Sequence, residues 1–581
     1  MHHIIKKFSG KNWLMVLGIF VLTFGQVFFT MEIVGHIGAL TAAIQSKDTE
    51  MVWFYGLAMV ICALLMMAVQ SGTTFLASSV ASDVVSRIRG TLYAKVNKLA
   101  LSDLTAFSTE SLVTRTTNDL QNIHLALLTA LRTVFVAPIT AVWSVILLVQ
   151  FASGPLTVAS LIWLFVMVAA TVILLILVTP KYRIVQKLTD ALNVASRENL
   201  TGVRVVRAFN AEKYQEAKFT KVNTEYTKAQ IFTGRAISLF TPIVMMVMTG
   251  LTLSIIWISA YLLNGVPFAD APVQFASINP FVMLATQIVM SFVLLVTLIV
   301  LWPRANVCAR RINEVLTHKE TVLDPENPEE FTEKGTIEFR NVGFAYPGGG
   351  GEAVSDITFK VNRGETLALI GATGSGKTTI VNMIPRMADA TRGEVLVDGV
   401  DVRNVRQADL RKIIGYTPQR AFLFKGNIRE NIAFGDPSMT LTQVKKASAI
   451  AEADGFVSAK REGYDSLVAQ GGTNFSGGQK QRLCIARTVA GTPEIMIFDD
   501  SFSALDYKTD KLVRGNIARE MPEATRVIIA QRVGTIMDAD QILVLDHGKI
   551  VGQGKHAELI HTCPVYQEIA LSQMTKEELG L

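Results

Sequence analysis

The chain has 581 residues, 50% of them hydrophobic, a net charge of +6 and a mean hydropathy of +0.36. This is too apolar for an ordinary soluble protein of that length and too long for one compact domain. The surplus of Lys and Arg reads as basic residues flanking membrane spans, not as a nucleic-acid surface. Cys62, Cys308, Cys484 and Cys563 stand far apart with no CxxC spacing and suggest neither a zinc site nor a disulfide framework.

Lys6, Lys7 and Lys11 precede the first apolar run, Trp13–Val34, which is long enough to span and has no small-residue cleavage site. Six stretches predict membrane helices, at about 13–36, 52–80, 130–152, 156–179, 237–263 and 275–302. Three connections are short, around Gln45–Glu50, Ser153–Leu156 and Asn264–Pro272, and together hold one basic residue, Lys47. Two are long. The first, about 81–132, carries Arg87, Arg89, Lys95, Lys98, Arg115 and Arg132, and the second, 180–236, carries eleven Lys and Arg from Lys181 to Arg235. The positive-inside rule places the long connections and both termini in the cytoplasm. Val84–Leu99 and Lys181–Ala195 read as helices continuing out of the membrane, with turns expected at Phe107–Thr114 and Asn199–Val205.

Beyond Trp302–Pro303 the chain leaves through Arg304, Arg310 and Arg311 into a polar linker, Thr317–Lys334. From Gly335 short β-rich runs (IEFRNVGFAY, ITFKV, TLALIG, GEVLVDG, EIMIFDD, RVIIAQ, QILVLDHG) alternate with helical stretches. Such alternation predicts an α/β domain with a largely parallel sheet.

Three motifs carry chemistry in this second half. Gly371-Ala372-Thr373-Gly374-Ser375-Gly376-Lys377-Thr378, followed by Thr379, fits GxxxxGK[ST] between a strand and a helix. Its glycines let backbone N–H groups wrap phosphates, Lys377 reaches the β and γ phosphates, and Thr378 offers a hydroxyl to Mg²⁺. Ile495–Asp499 is an apolar strand that delivers a carboxylate, Asp499, to the same cation. Between them, Asn474-Phe475-Ser476-Gly477-Gly478-Gln479 opens a helix whose positive end and hydroxyl suit a phosphate, although Ser476 also reads as a plain N-cap.

Together these motifs resemble the ABC transporter family over essentially the whole chain, with FSGGQ in the place of its LSGGQ signature. The resemblance implies an all-α six-helix transmembrane domain of the exporter type over 1–316, a linker over 317–334 and an α/β P-loop ATPase domain over 335–581. It also implies ATP and Mg²⁺ as cofactors, with Tyr346 stacking on adenine and Gln419 contacting Mg²⁺ alongside Thr378 and Asp499. Ser476, Gly477, Gly478 and Gln479 would face the ATP held by the opposite subunit, and Asp506 closes the D-loop. ESLVTRTTND and ENLTGVRVVRAF are similar to the cytoplasmic loops of exporter-type members, whose tips couple to the ATPase domains.

Two positions depart from the family pattern. Asp500 stands where a catalytic Glu follows the strand, and Gln531 where a switch His is usual. The shorter carboxylate polarises water poorly from a displaced position, and Gln cannot carry the positive charge of His. The site is therefore expected to bind ATP and hydrolyse it slowly, while FSGGQ completes a competent site on a different half-transporter chain. Gln470-Gly471-Gly472, where many exporters have Glu-Arg-Gly, supports that reading. The resemblance is to the degenerate-site subunit of bacterial heterodimeric multidrug exporters, which implies a multi-pass protein of the cytoplasmic membrane.

Within the spans Gln26, Glu32, Gln70 and Gln287, with His36 near an outer end and frequent Met, allow an amphiphilic small-molecule cargo without identifying it. Transport of peptides, lipids, haem-like compounds or siderophores, and a regulatory protein that does not pump, remain open alternatives. Six spans exclude a soluble ATPase of DNA repair or translation, and no nucleic-acid partner is expected.

Overall fold

The structure, a computed structural model, describes residues 7–151, 154–263, 275–346 and 349–579. The connection expected at Asn264–Pro272, and Ser153 of the one expected at Ser153–Leu156, lie outside these residues. The chain packs as two compact units, one of Met1–Tyr93 with Val113–Thr317 and the other of Ala94–Leu112 with His318–Leu581.

The first half is all-helical. Its helices are α1 (Gly10–Gln45), α2 (Thr49–Lys98), α3 (Leu101–Thr105), α4 (Thr109–Thr116), α5 (Asn118–Phe151), α6 (Gly154–Thr201), α7 (Val203–Ala208), α8 (Glu212–Ser238), α9 (Phe240–Leu263) and α10 (Ile278–Thr317). Among the described residues, six helical stretches are long and apolar enough to cross a membrane, the number read from the sequence. With 50 residues, α2 extends about 75 Å, far beyond a hydrocarbon core of about 30 Å. Long extensions beyond the bilayer thus follow from helix length alone.

The membrane unit is held by close packing. Val27 and Met31 of α1, Met167 of α6, Leu251 and Ile255 of α9 and Leu284 of α10 are buried against one another. Gly250 lets α9 approach α6, because a Cβ there would collide with the Trp163 indole. The same indole donates to Ser254 Oγ at 3.0 Å. Such an interhelical bond is worth about 0.6 kcal/mol, whereas overfilling the glycine contact would cost about 1–3 kcal/mol, so packing decides this crossing.

Of the two expected turns, the first starts earlier than the sequence suggests and the second falls where it was expected. α2 ends at Lys98, and the first reversal starts at Leu99, not Phe107. Asp103 fixes it: its carboxylate accepts from Ala100 N at 3.2 Å and Thr321 N at 3.1 Å and lies 3.5 Å from His318. Ser108 then accepts from Ser111 N at 3.2 Å, so the Ser/Thr-rich run expected to be a loop is instead the capped start of α4. The second turn opens at Gly202, within the expected Asn199–Val205, where α6 has ended at Thr201, and closes at Asn210 with φ +51° after α7.

The ATPase half is α/β. A four-stranded antiparallel sheet runs in the order β2-β1-β4-β5, with β1 Ile337–Phe344, β2 Val354–Val361, β4 Arg392–Val397 and β5 Val400–Asp401. A six-stranded sheet runs β12-β11-β3-β10-β9-β6, with β3 Thr366–Gly371, β6 Ile414–Thr417, β9 Ile495–Asp499, β10 Thr525–Ile529, β11 Gln541–Asp546 and β12 Lys549–Gly554. All its neighbours are parallel except β11 with β12. A two-residue pair, β7 (Gly426–Asn427) and β8 (Leu467–Val468), stands apart. Every residue of β9 is buried, which is why its sequence is an unbroken apolar run rather than an alternating one. Ile529 of β10 is level with Leu369 of β3 and Asp499 of β9, so the carboxyl ends of three adjacent strands open at one height. Ligands of open α/β sheets bind in that crevice.

Candidate nucleotide site

The loop after β3 is shaped by glycines. Gly376 has φ +96°, and a Cβ there would strike Val354; Gly374 has φ +85° with open space beside it. The loop leads into α11 (Lys377–Met383). Lys377 folds back over it, with Nζ donating to Gly371 O at 2.8 Å, Ala372 O at 2.7 Å and Ser375 Oγ at 3.2 Å. Burial holds the Lys377 ammonium below its usual range, and the Asp500 and Asp499 carboxylates pull the other way. A phosphate over the loop would offer that ammonium stronger, charge-assisted acceptors than backbone carbonyls.

Thr378 Oγ1 donates to Asp499 Oδ1 at 3.2 Å, and Tyr416 OH lies 3.4 Å from Asp499 Oδ2 and 3.1 Å from Asn382 Oδ1. Burial raises the Asp499 carboxyl first; the bond from Thr378 lowers it, and the Asp500 charge raises it again. Burial and the Asp499 charge push the Tyr416 hydroxyl up, so it stays protonated and a donor. A hydroxyl and a carboxylate on adjoining elements suit a divalent cation that completes its shell with phosphate oxygens and water. Among the described residues no cluster of three or more His, Cys, Asp or Glu could hold a metal alone. The donor set therefore fits Mg²⁺ brought with a nucleotide.

Asp500 sits one residue past β9 with φ +47°, a left-handed conformation that Asp tolerates better than most residues. Its N–H donates to Ile529 O at 3.1 Å, and Ser503 Oγ donates to its carbonyl at 2.9 Å. The side chain is nearly buried, and Oδ2 accepts from Gln531 Nε2 at 2.8 Å. The two residues read from the sequence as departures from the family pattern thus bond each other. In turn Gln573 donates to the Gln531 carbonyl and accepts from Val533 N, both at 2.8 Å.

A cleft of about 830 Å³ brings together Tyr346, Gly371, Ala372, Thr373, Gly374, Gly376, Lys377, Thr378, Thr379, Gln419, Asp499, Asp500 and Gln531. Ser375 lies beneath, buried and bonded to Lys377. Tyr346 stands at the rim half-exposed, its hydroxyl 3.1 Å from Thr379 Oγ1, so its ring face is available for stacking. Ser476, Gly477, Gly478, Gln479 and Asp506 do not line the cleft. Ser476 instead caps α12 (Gly477–Ala490) in a capping box, accepting from Gln479 N at 3.3 Å while its own N–H donates to Gln479 Oε1 at 3.1 Å. Asp506 caps α13 (Tyr507–Glu520), accepting from Thr509 N at 3.0 Å and Thr509 Oγ1 at 2.8 Å, bonds that hold its carboxyl below the usual range. The signature segment and D-loop nevertheless touch: a Cβ on Gly478 would lie 3.2 Å from Ala504 O.

Sequence reasoning missed four contributors. Tyr416 stands three residues before Gln419 in GYTPQ, so its proximity was readable. Arg532, next to Gln531, donates to Ser503 O at 3.1 Å and Leu505 O at 3.2 Å, tying the D-loop to the end of β10. Glu568 of α14 (Pro564–Leu571) and Gln573 just beyond it line the cleft from the C-terminal segment, with no local motif to announce them.

Residues 13–292 match the family model for the ABC transporter transmembrane region, and residues 354–503 match that for the ABC transporter. An uncharacterized ABC transporter ATP-binding protein of Mycobacterium tuberculosis, Rv1273c, is 35% identical over 93% of this chain and 91% of its own length. YfiB of Bacillus subtilis, described in the same words, is 31% identical over 92% of each chain. A solved bacterial Atm1-family ABC exporter with ATP bound superposes with a TM-score of 0.76 and 25% identity, covering 96% of both chains.

Proposed function

The chain belongs to the ABC transporter family, as a multi-pass membrane region joined to an ATPase domain, and from that premise we propose that it is one half of a heterodimeric exporter whose own nucleotide site is degenerate. The observation that carries the proposal is the 2.8 Å bond from Gln531 to the Asp500 carboxylate. A general base needs a free lone pair aimed at the attacking water. Here the carboxylate at that position is one methylene short and already accepts a bond from a neutral amide.

Binding and chemistry separate on this reading. Lys377 and the N–H groups of the glycine loop hold phosphates, Tyr346 stacks the base, and Thr378, Asp499 and Gln419 hold Mg²⁺. Mg²⁺, when bound, neutralises charge on the phosphate oxygens. Asp500 and Gln531 leave the attacking water without an effective base. Ser476–Gln479 serve the ATP of a different half-transporter whose corresponding positions carry Glu and His. The proposed cargo is an amphiphilic small molecule moved outward across a bacterial cytoplasmic membrane, with both termini in the cytoplasm. Supporting that orientation, the short connections hold one basic residue and the long ones seventeen.

The test is Mg²⁺-dependent ATP turnover of the purified chain alone and after mixing with the companion half. Turnover is expected to be negligible alone and to appear with the companion. Turnover by the single chain at about 1 s⁻¹ or more, the lower end for ordinary enzymes, overturns the degenerate assignment.

A further inference from the structure

A second cavity, of about 420 Å³, opens within the membrane unit between α1, α2, α5 and α10. Its wall is mainly apolar but carries a cluster of polar side chains. Gln26 of α1, Gln70 of α2, Thr129, Arg132 and Thr133 of α5 and Thr297 of α10 all face it, with Leu125 and Leu294 completing an apolar side. Spacings of three and four place Leu125, Thr129, Arg132 and Thr133 on one face of α5, so the helix presents this set together.

Arg132 is the unusual member. Of all Asp, Glu, Lys and Arg, only Glu32 and Arg132 fall within the six apolar stretches, Arg132 at the start of the third, where the long basic connection ends. Glu32 lies 3.9 Å from His36, one turn along α1. Arg132 has no ion pair or hydrogen bond among the described residues. A guanidinium cannot shed its proton to escape an apolar setting, so in a cavity walled by apolar helices it favours a counter-charge. The surrounding amides and hydroxyls supply dipoles but no negative charge; the Thr297 hydroxyl already donates to Val293 O at 3.2 Å, while Gln26, Gln70 and Thr129 can each donate a hydrogen bond to an anion.

We propose that this cavity binds the anionic head of an amphiphile, a carboxylate, phosphate or sulfonate paired with Arg132 and steadied by Gln26, Gln70 and Thr129, with its apolar part along Leu125 and Leu294. The assignment of the bound molecule as cargo rests on the exporter reading; the binding does not. The same head chemistry could arrive on a soluble amphiphile or an anionic lipid.

Binding is measured without ATP, on the full chain in phosphatidylcholine nanodiscs, by fluorescence titration with a dansyl-labelled fatty acid and its methyl ester. The carboxylate is expected to bind about tenfold more tightly than the ester, with Arg132→Gln erasing that preference and Arg132→Lys keeping part of it. Nucleotide binding by each variant reports that it is folded. Should Arg132→Gln fail that check, Thr129→Val, which removes a donor and no charge, is expected to weaken only the carboxylate. In discs containing phosphatidylglycerol, a lipid occupant lowers the affinity of the wild type but not of Arg132→Gln, whereas a soluble occupant leaves both unchanged. Equal affinity for acid and ester, or a preference that survives Arg132→Gln, overturns the proposal. Because no turnover is required, a failed heterodimer assignment leaves this result standing, and a failed binding result leaves that assignment untouched.

Discussion

At Ser476 the backbone and side chain close a reciprocal pair of bonds with Gln479, and two glycines leave the mouth of a 14-residue helix open. At Asp500 the chain turns through a left-handed residue, and the carboxylate ends on the amide of Gln531. On the proposed reading both segments approach phosphate, one complete and the other complete only for binding. A single polypeptide would then keep the parts that hold ATP intact while the parts that cut it drift, because they lie on different elements. The loop after β3 depends on glycine backbone, whereas the base and switch positions depend on one side chain each.

The sharpest way to break this comparison is to mutate the two faces in the assembled pair. Gly478→Asp should lower turnover at least about a hundredfold, since it removes a close backbone approach and sets a carboxylate against phosphate. Asp500→Asn should change turnover less than about threefold if, as proposed, the base it removes is already ineffective. Comparable losses, read as steady-state ATP hydrolysis, would show the faces to be equivalent.

Lys377→Ala comes next. It deletes charge-assisted bonds of about 1.5–3 kcal/mol each and should weaken ATP binding at this site about a hundredfold. Transport should fall with it if retained ATP holds the two ATPase domains in contact. Site-specific occupancy during turnover, measured beside transport, checks both, and wild-type transport with the site empty would make it vestigial.

A gain should be smaller. Asp500→Glu with Gln531→His, tested on the chain alone, should raise turnover about tenfold, below the ~10²–10⁴ usual for a positioned base, because Glu fits the left-handed backbone less well than Asp. An unchanged rate would place the defect elsewhere.

The smallest effect is a control on both faces. Asp398, 1% exposed in the hairpin between β4 and β5, is pushed up from 3.8 to about 6, chiefly by burial, against the bond it accepts from Thr336 N at 2.8 Å. Between those pH values the native state binds the extra proton, so stability falls as pH rises from about 4 to about 6 and is level above. The full loss is about 2–3 kcal/mol, a few degrees in the melting of the ATPase domain, and Asp398→Asn should flatten it. Being in the other sheet, this residue should affect both faces alike.

The fold was legible because its signals are long. Six apolar runs each exceed a bilayer's thickness, and strands such as β9 announce burial by unbroken apolar sequence. The cleft was legible where it is built from contiguous motifs, from Gly371 to Thr379 and at Asp499–Asp500. The bond between Asp500 and Gln531 was not, since it joins residues brought level only by β9–β10 pairing. Gln573 gave still less, as a lone glutamine after a short helix has no periodicity or spacing to read. The first turn was displaced for a related reason: Ser108 and Thr109 look like a loop until their capping role is seen.

The position of Gln573 also bears on how the protein is handled. It touches the switch segment only six residues before Leu579, the last residue described, and Glu568 beside it lines the same cleft. A label or tag placed between Glu568 and Gln573 would sit at the cleft, and histidines introduced there would bring imidazoles near Gln531. ATPase rates from preparations modified in this segment should be compared with the unmodified protein before any value is assigned to this site.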